Sequence, residues 1–291
     1  MKKIAILGCE NSHADTFLNF IYNTDGYRDV EVVGVYSNEP EAMKTLNEKY
    51  GVGMLENYAD AVGKVDGLII TARHGDLHYE YAKPYIESGI PMFIDKPVTI
   101  KESEAISFMQ ELKAGGVRVC GGSSLKHDYN VKAFKKESEE NVDGKTLGGF
   151  VRAPIDMASV YGGLYFYAPH LVEVVSEIFG RYPLSVNAKV NGEVVSVNFN
   201  YGEYTVDGAF VEHNYLYYAC RSSEKSVKGA YLESTDEHNW FKSEFDEFYS
   251  ILHGGESPVS YEDLSSSVFV MNAIERSLTS GKEEKVNAFA L

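Results

Sequence analysis

Short, unbroken apolar runs alternate with stretches of helical period through the first 120 residues. Residues 3–7 form the first run, closed by Gly8, and a helix is predicted over 13–22. Runs at 31–36, 65–71, 91–94 and 117–120 follow, with helices predicted over 39–50, 77–88 and 102–115. Gly89 stops the third helix and Pro97 the fourth run. A strand that is apolar throughout has both faces buried, as happens when helices cover a parallel sheet on both sides.

The pattern changes after Gly122. From about residue 184 to 233, Tyr, Val and Phe alternate with polar residues, with turn signals at Asn191-Gly192, Tyr201-Gly202 and Ser222-Ser223. Such text predicts an antiparallel sheet with one buried face. Helices are predicted over 169–179 before it, 240–252 after it, and 261–280 at the end, closed by Gly281. The expected division is 1–122 and 123–291, an α/β chain with a parallel and a mostly antiparallel sheet.

Charge narrows the function. Lys and Arg number 27 against 43 Asp and Glu, a net charge of −16. A surface this acidic repels nucleic acid and anionic membrane. No stretch approaches the roughly 20 apolar residues that span a bilayer. Cys9, Cys120 and Cys220 are scattered, which fits a reducing compartment rather than a disulfide or zinc scaffold. The basic opening MKKIAILG is followed by no small-residue cleavage site, so a cytoplasmic protein is expected.

The turn after the first run is the first candidate site. A strand ending in glycine before a helix can offer backbone N–H groups and a helix N-terminus to a pyrophosphate. Here it reads Gly8-Cys9-Glu10-Asn11-Ser12-His13, with only the first glycine of G-x-G-x-x-G. Glu10 is the awkward residue, because a carboxylate repels a diphosphate unless it points away or caps the helix. The second run ends in Ser37 and Asn38, without the acid that usually binds the ribose of NAD. Neutral groups there tolerate a 2′-phosphate, which tips the expectation from NAD towards NADP.

Further motifs carry a resemblance. The fourth run leads into Ile94-Asp95-Lys96-Pro97, and Thr71-Ala72-Arg73-His74 precedes Leu77-His78. With the opening turn and the text from Phe245 to Gly281, these segments resemble the glucose–fructose oxidoreductase, inositol dehydrogenase and rhizopine catabolism (Gfo/Idh/MocA) family of NAD(P)-dependent oxidoreductases. That family carries E-K-P after the fourth strand and T-P-x-x-x-H before it. The resemblance spans nearly the whole chain. It implies a Rossmann domain and a C-terminal α/β domain whose large open sheet forms a homodimer or homotetramer face. It also implies hydride transfer between a nicotinamide and a hydroxyl-bearing carbon of a sugar, inositol or related polyol. Thr71, Ala72, Arg73, His74, His78 and Asp95 are then expected beside the cofactor, with the turn residues Gly8 to His13.

Lys96 is the candidate catalytic cation. It stands at the C-terminal edge of a parallel sheet, where ligands of α/β folds bind, and its ammonium favours a developing oxyanion. The proton needs a base that titrates near neutrality. The family segment D-x-G-x-H-x-x-D falls on Phe166 to Glu173 and assigns that base to His170. Phe166 replaces the first acid, and Glu173 the second. Tyr161, Tyr165, Tyr167 and Asp156 are the candidates to stand in for the lost acid. Tyr167 and Lys126 join His170 as expected substrate contacts. His74 and His78 are spaced for a metal, but no third ligand accompanies them, so none is expected. The lost glycines and acid also admit a second reading, a nucleotide- or sugar-binding regulatory protein that keeps the fold without turnover.

Overall fold

The computed structural model describes residues 1–291. The N-terminal half folds as β1 (Lys2–Leu7), α1 (Ser12–Asn23), β2 (Val30–Tyr36), α2 (Pro40–Tyr50), β3 (Gly67–Ile70), α3 (Asp76–Ala82), β4 (Met92–Asp95), α4 (Glu102–Ala114) and β5 (Val119–Gly122). Its strands form one parallel sheet in the order β2-β1-β3-β4-β5. Chain order reverses at β1, so the crevice between the β1 and β3 ends is the switch point where such sheets hold ligands. The helix expected over 77–88 is α-helical only to Ala82 and continues as a 3₁₀ turn over Lys83–Ser88. Pro84 is the cause, since it lacks the N–H that would continue the ladder.

The remainder comprises α5 (Tyr129–Glu139), β6 (Thr146–Ile155), α6 (Leu164–Phe179), β7 (Ser185–Asn191), β8 (Val194–Asn200), β9 (Thr205–Glu212), β10 (Tyr218–Ser223), β11 (Val227–Tyr231), α7 (Trp240–Leu252), α8 (Tyr261–Ser280) and β12 (Glu284–Lys285). The second sheet runs β11-β10-β6-β9-β8-β7-β12. It is antiparallel except for β6 against β9, which are parallel over eight residue pairs. The turn expected at Ser222-Ser223 comes two residues later, at Glu224-Lys225, because Ser223 still pairs within β10.

α6 starts at Leu164 rather than at Pro169, which sits inside the helix, so His170 lies well within α6 and not at its first turn. Helices α5, α6 and α8 cover one face of the second sheet, with Phe134, Leu171, Val175 and Ile274 in its core. Its strands also expose Val190, Val227 and Tyr231.

Packing ignores the division at residue 122. On one face of the parallel sheet, Phe245, Phe248 and Leu252 of α7 join Phe17 and Leu18 of α1. On the other, Leu264, Val268 and Phe269 of α8 join Tyr81, Phe108 and Leu112. The C-terminal helices thus complete the core around the parallel sheet and fix how the two sheets meet. No helix is long and apolar enough to cross a membrane.

Candidate functional site

Where the sheets meet, a cavity of about 220 Å³ brings together residues from seven separate parts of the chain. Asn11, Ser12 and His13 come from the first turn, Arg73 from the end of β3, and Lys96 from the end of β4. Phe166, Tyr167 and His170 come from α6. Lys96 and His170, distant in the chain, therefore share one small space.

The turn is shaped by sterics. Gly8 has φ +82, and a Cβ there would lie 2.1 Å from the Ala72 nitrogen. Only glycine lets β1 and β3 end so close together. Thr71 Oγ1 donates to Gly8 O at 3.0 Å and locks this closure. Asn11 caps α1 by accepting from His13 N at 3.2 Å, and its Nδ2 donates to Asp95 Oδ2 at 3.1 Å.

Asp95 is fully buried and organises the floor. Its Oδ1 accepts from Lys96 N at 2.7 Å, and its Oδ2 lies 2.7 Å from His13 Nδ1. Burial acts to raise its carboxyl pKa, but His13 and Lys96 outweigh burial and hold it below the usual range. It remains an anion beneath the cavity.

Lys96 is buried at 5% exposure and makes no ion pair. Its Nζ donates to Phe166 O at 3.0 Å and lies 4.6 Å from the Phe166 ring centre and 5.5 Å from that of Tyr167. Burial pulls its pKa below the ordinary lysine value, against the opposing pull chiefly of Asp95. Phe166, which the sequence places where the resembling family carries an acid, gives the ammonium an aromatic face and a carbonyl.

His170 is held by Ser123, whose Oγ lies 2.7 Å from Nδ1, leaving Nε2 as the nitrogen for a ligand. Burial, with Lys96 and His13 adding to it, pushes the imidazole pKa well below its ordinary value. The ring is therefore neutral at pH 7, and burial makes it a weaker base than the near-neutral titration expected of it. Ser123 is itself anchored by its N–H to Glu173 Oε2 at 2.6 Å, and Glu173 also takes Ser267 Oγ at 3.3 Å. Burial pushes Glu173 up to about 7. Glu173 therefore acts on His170 through Ser123 and does not line the cavity.

Several expected site residues lie outside this small cavity. His78 is wholly buried with Nε2 2.7 Å from Ala72 O, so it braces the β3 loop. His74 Nδ1 accepts from Asp76 N at 3.3 Å at the start of α3. With these partners the two histidines do not converge on a metal. Asn38 is exposed and accepts from Tyr36 Oη at 2.8 Å. Lys126 points away from the cavity: its Nζ donates to Gly121 O, and it lines a separate, polar cavity of about 740 Å³ with Glu173, Glu177 and Glu247. That space is larger, but neither Lys96 nor His170 reaches it.

Among the candidates to replace the lost acid, Tyr165 donates to Glu275 at 2.8 Å and Tyr161 to Glu39 at 3.1 Å. Only Tyr167 lines the small cavity, and burial pushes its hydroxyl up to about 12. Glu10 turns from the diphosphate position to the strand ends: Oε2 accepts from Ser37 Oγ at 2.7 Å and Oε1 from Arg73 N at 2.9 Å. Sequence reasoning missed Ser123, Ser124, Leu125, Tyr217, Trp240 and Phe241. The run Gly-Gly-Ser-Ser at the end of β5 was the available signal, since small residues at that edge leave room for a ligand. Nothing local in the chain marks Tyr217, Trp240 or Phe241.

Residues 2–123 match the family model described as oxidoreductase family, NAD-binding Rossmann fold (GFO_IDH_MocA). No curated protein matches the chain in sequence. Among solved structures, the fold is similar to scyllo-inositol dehydrogenase from Lactobacillus casei with bound NAD(H) and scyllo-inositol (TM-score 0.84, 15% identity, 98% of this chain and 99% of that one). It is also similar to myo-inositol 2-dehydrogenase from Lactobacillus plantarum (TM-score 0.84, 13% identity, 98% and 99%). A third is the WlbA dehydrogenase from Bordetella pertussis in complex with NADH and UDP-GlcNAcA (TM-score 0.81, 15% identity, 98% and 98%). Identities this low establish a shared fold and no more.

Proposed function

We propose, on the premise that the chain belongs through residues 2–123 to the Gfo/Idh/MocA family of NAD-binding oxidoreductases, that it is an NAD(P)-dependent oxidoreductase. In this reading it acts on a hydroxyl-bearing carbon of a small polyol or sugar. The observation that carries it is the meeting of Lys96 and His170 in one cavity beside the turn that starts α1. The turn suits a dinucleotide: Gly8 gives the close approach, α1 presents its N-terminus, and Glu10 is tied back to Ser37 and Arg73.

When bound, the nicotinamide supplies or accepts the hydride. The chain's own residues manage the oxygen and its proton. Lys96 donates a hydrogen bond to the substrate oxygen and offsets charge as it develops there, in a site where burial strengthens the interaction. Neutral His170 takes the hydroxyl proton at Nε2 during oxidation and returns it during reduction. Ser123 holds the ring so that this nitrogen faces the cavity.

The volume of about 220 Å³ lies below the roughly 300–1,000 Å³ of sites for drug-sized ligands, which favours one small ring or a short chain over a nucleotide sugar. Aromatic walls from Tyr167, Tyr217, Trp240 and Phe241 suit the C–H faces of such a ring. Val227 and Tyr231, exposed on the edge strand β11, support self-association through the second sheet, and a monomer by light scattering would refute that part.

Phe166 favours one alternative, a binding protein without turnover, because its ring takes the place of an acid beside Lys96. The deciding experiment is calorimetric titration with NADH and NADPH, followed by a polyol panel read at the nicotinamide absorbance. Binding with turnover lost in Lys96→Ala supports the enzyme. Binding without turnover on any polyol supports the alternative. No binding of either cofactor removes both nucleotide-based readings.

A further inference from the structure

The acid that a ribose diol requires is missing from β2, which ends at Tyr36 before Ser37 and Asn38. A carboxylate nevertheless stands at that strand end. Glu10 reaches across from the first turn, and Oε2 accepts the Ser37 hydroxyl at 2.7 Å while Oε1 accepts the Arg73 amide at 2.9 Å. Its two donors belong to the ends of β2 and β3, the rim of the crevice where ligands of such sheets bind. Ser37 is buried and also accepts from Glu39 N at 3.0 Å, so the carboxylate rests on a fixed support.

A carboxylate has about four acceptor positions. Glu10 spends one on each of these two donors and is only half-buried, which leaves capacity for two further hydroxyls. That is the demand of a vicinal diol. A phosphate monoester at the same place has no proton to donate at neutral pH and meets charge of its own sign.

Neighbouring charges act in the same direction. Glu39 lies at the same strand end, with Oε1 accepting Tyr161 Oη at 3.1 Å. Arg73 is engaged elsewhere: Nη1 donates to Tyr161 Oη at 3.1 Å, the guanidinium stacks 5.1 Å from that ring centre, and the side chain lines the catalytic cavity. Lys44 is exposed and lies 4.0 Å from Glu41.

We propose that Glu10 sets cofactor choice: its carboxylate receives the adenosine ribose hydroxyls of NAD(H) and excludes the 2′-phosphate of NADP(H). It does from the first turn what an acid after β2 usually does. The inference rests on reading the crevice as a dinucleotide site, and it reverses the lean to NADP drawn from Ser37 and Asn38 alone.

The test is titration of the full chain with NADH and with NADPH, for wild type and Glu10→Gln, with thermal melting to confirm that the variant is folded. Gln keeps the shape and one acceptor but removes the charge. Wild type is expected to bind NADH at least about tenfold more tightly than NADPH, the scale of one close like-charge contact at a partly exposed site. Glu10→Gln is expected to narrow that ratio about tenfold, mainly through tighter NADPH. A wild-type preference for NADPH, or a ratio unchanged in Glu10→Gln, overturns the inference while leaving the dinucleotide site intact. Equal tightening of both cofactors also overturns it, since Glu10 is then an obstruction. Failure of both proteins to bind either cofactor overturns the dinucleotide reading itself, and the inference with it.

Discussion

Replacing Lys96 by Met separates the two jobs a buried lysine can have. Nζ donates to Phe166 O at 3.0 Å and faces the Phe166 ring at 4.6 Å, with no carboxylate paired to it. Losing the charged hydrogen bond costs about 1.5–3 kcal/mol. Losing a desolvated cation–π contact costs about 2 kcal/mol. Against these stands relief from burying an ammonium, worth several kcal/mol even after local relaxation. Its depressed pKa shows that burial outweighs the favourable pull of Asp95. The contributions oppose one another, so stability should stay within about 2 kcal/mol of wild type. Catalysis has no such offset, because an aligned donor to a developing oxyanion is worth about a hundredfold or more in rate. The assay pairs urea unfolding with initial rates on a substrate that wild type turns over. A folded, stable and nearly inactive Lys96→Met is expected. A variant destabilised by more than about 4 kcal/mol would make Lys96 a structural residue and refute the reasoning.

Three further outcomes follow from neighbouring groups. Glu244 is fully buried with neither carboxylate oxygen hydrogen-bonded, and burial raises its pKa well above normal. The folded chain therefore holds a proton there that the unfolded chain releases, so its cost to stability grows as pH rises above about 4.5. Urea unfolding of Glu244→Met should show a gain of about 1–3 kcal/mol near pH 8 that shrinks towards pH 5, and an equal gain at both would contradict an ionisation cause. Gly8→Ala places a Cβ 2.1 Å from the Ala72 nitrogen at a left-handed φ; a loss of more than about 2 kcal/mol in urea is expected, and none would contradict the closure. Ser123→Ala frees His170 Nδ1; kcat should fall about tenfold or more with KM little changed, and Ser123→Thr should restore it. A loss confined to KM would deny Ser123 its positioning role.

The first half of the chain was legible because its strands are buried on both faces. Sequences such as GLII and MFID in β3 and β4 leave no other reading once glycine and proline punctuate them. Lys96 was legible for the same reason, standing at the end of such a strand. α5 and β6 were not. α5 buries only Val131 and Phe134 along a charged helix, and β6 carries two glycines and a proline. The parallel pairing of β6 with β9 joins distant segments, and no local pattern encodes that register. Lys126 shows the limit at a single residue. It follows Ser124 and Leu125, which line the small cavity, but the 3₁₀ turn over Ser124–His127 directs its side chain into the other one. The aromatic walls could not be foreseen either, because Tyr217 and Trp240 reach the cavity through the docking of elements far apart in the chain.

The account stands on Lys96 and His170 working as one unit on the same oxygen, and a double-mutant cycle in turnover addresses this directly. Rates would be measured for wild type, Lys96→Met, His170→Asn and the double variant with saturating cofactor and one accepted polyol. The account predicts strong non-additivity, with the double variant little slower than the worse single variant. Losses that simply multiply, or a His170→Asn variant at full rate, would contradict it.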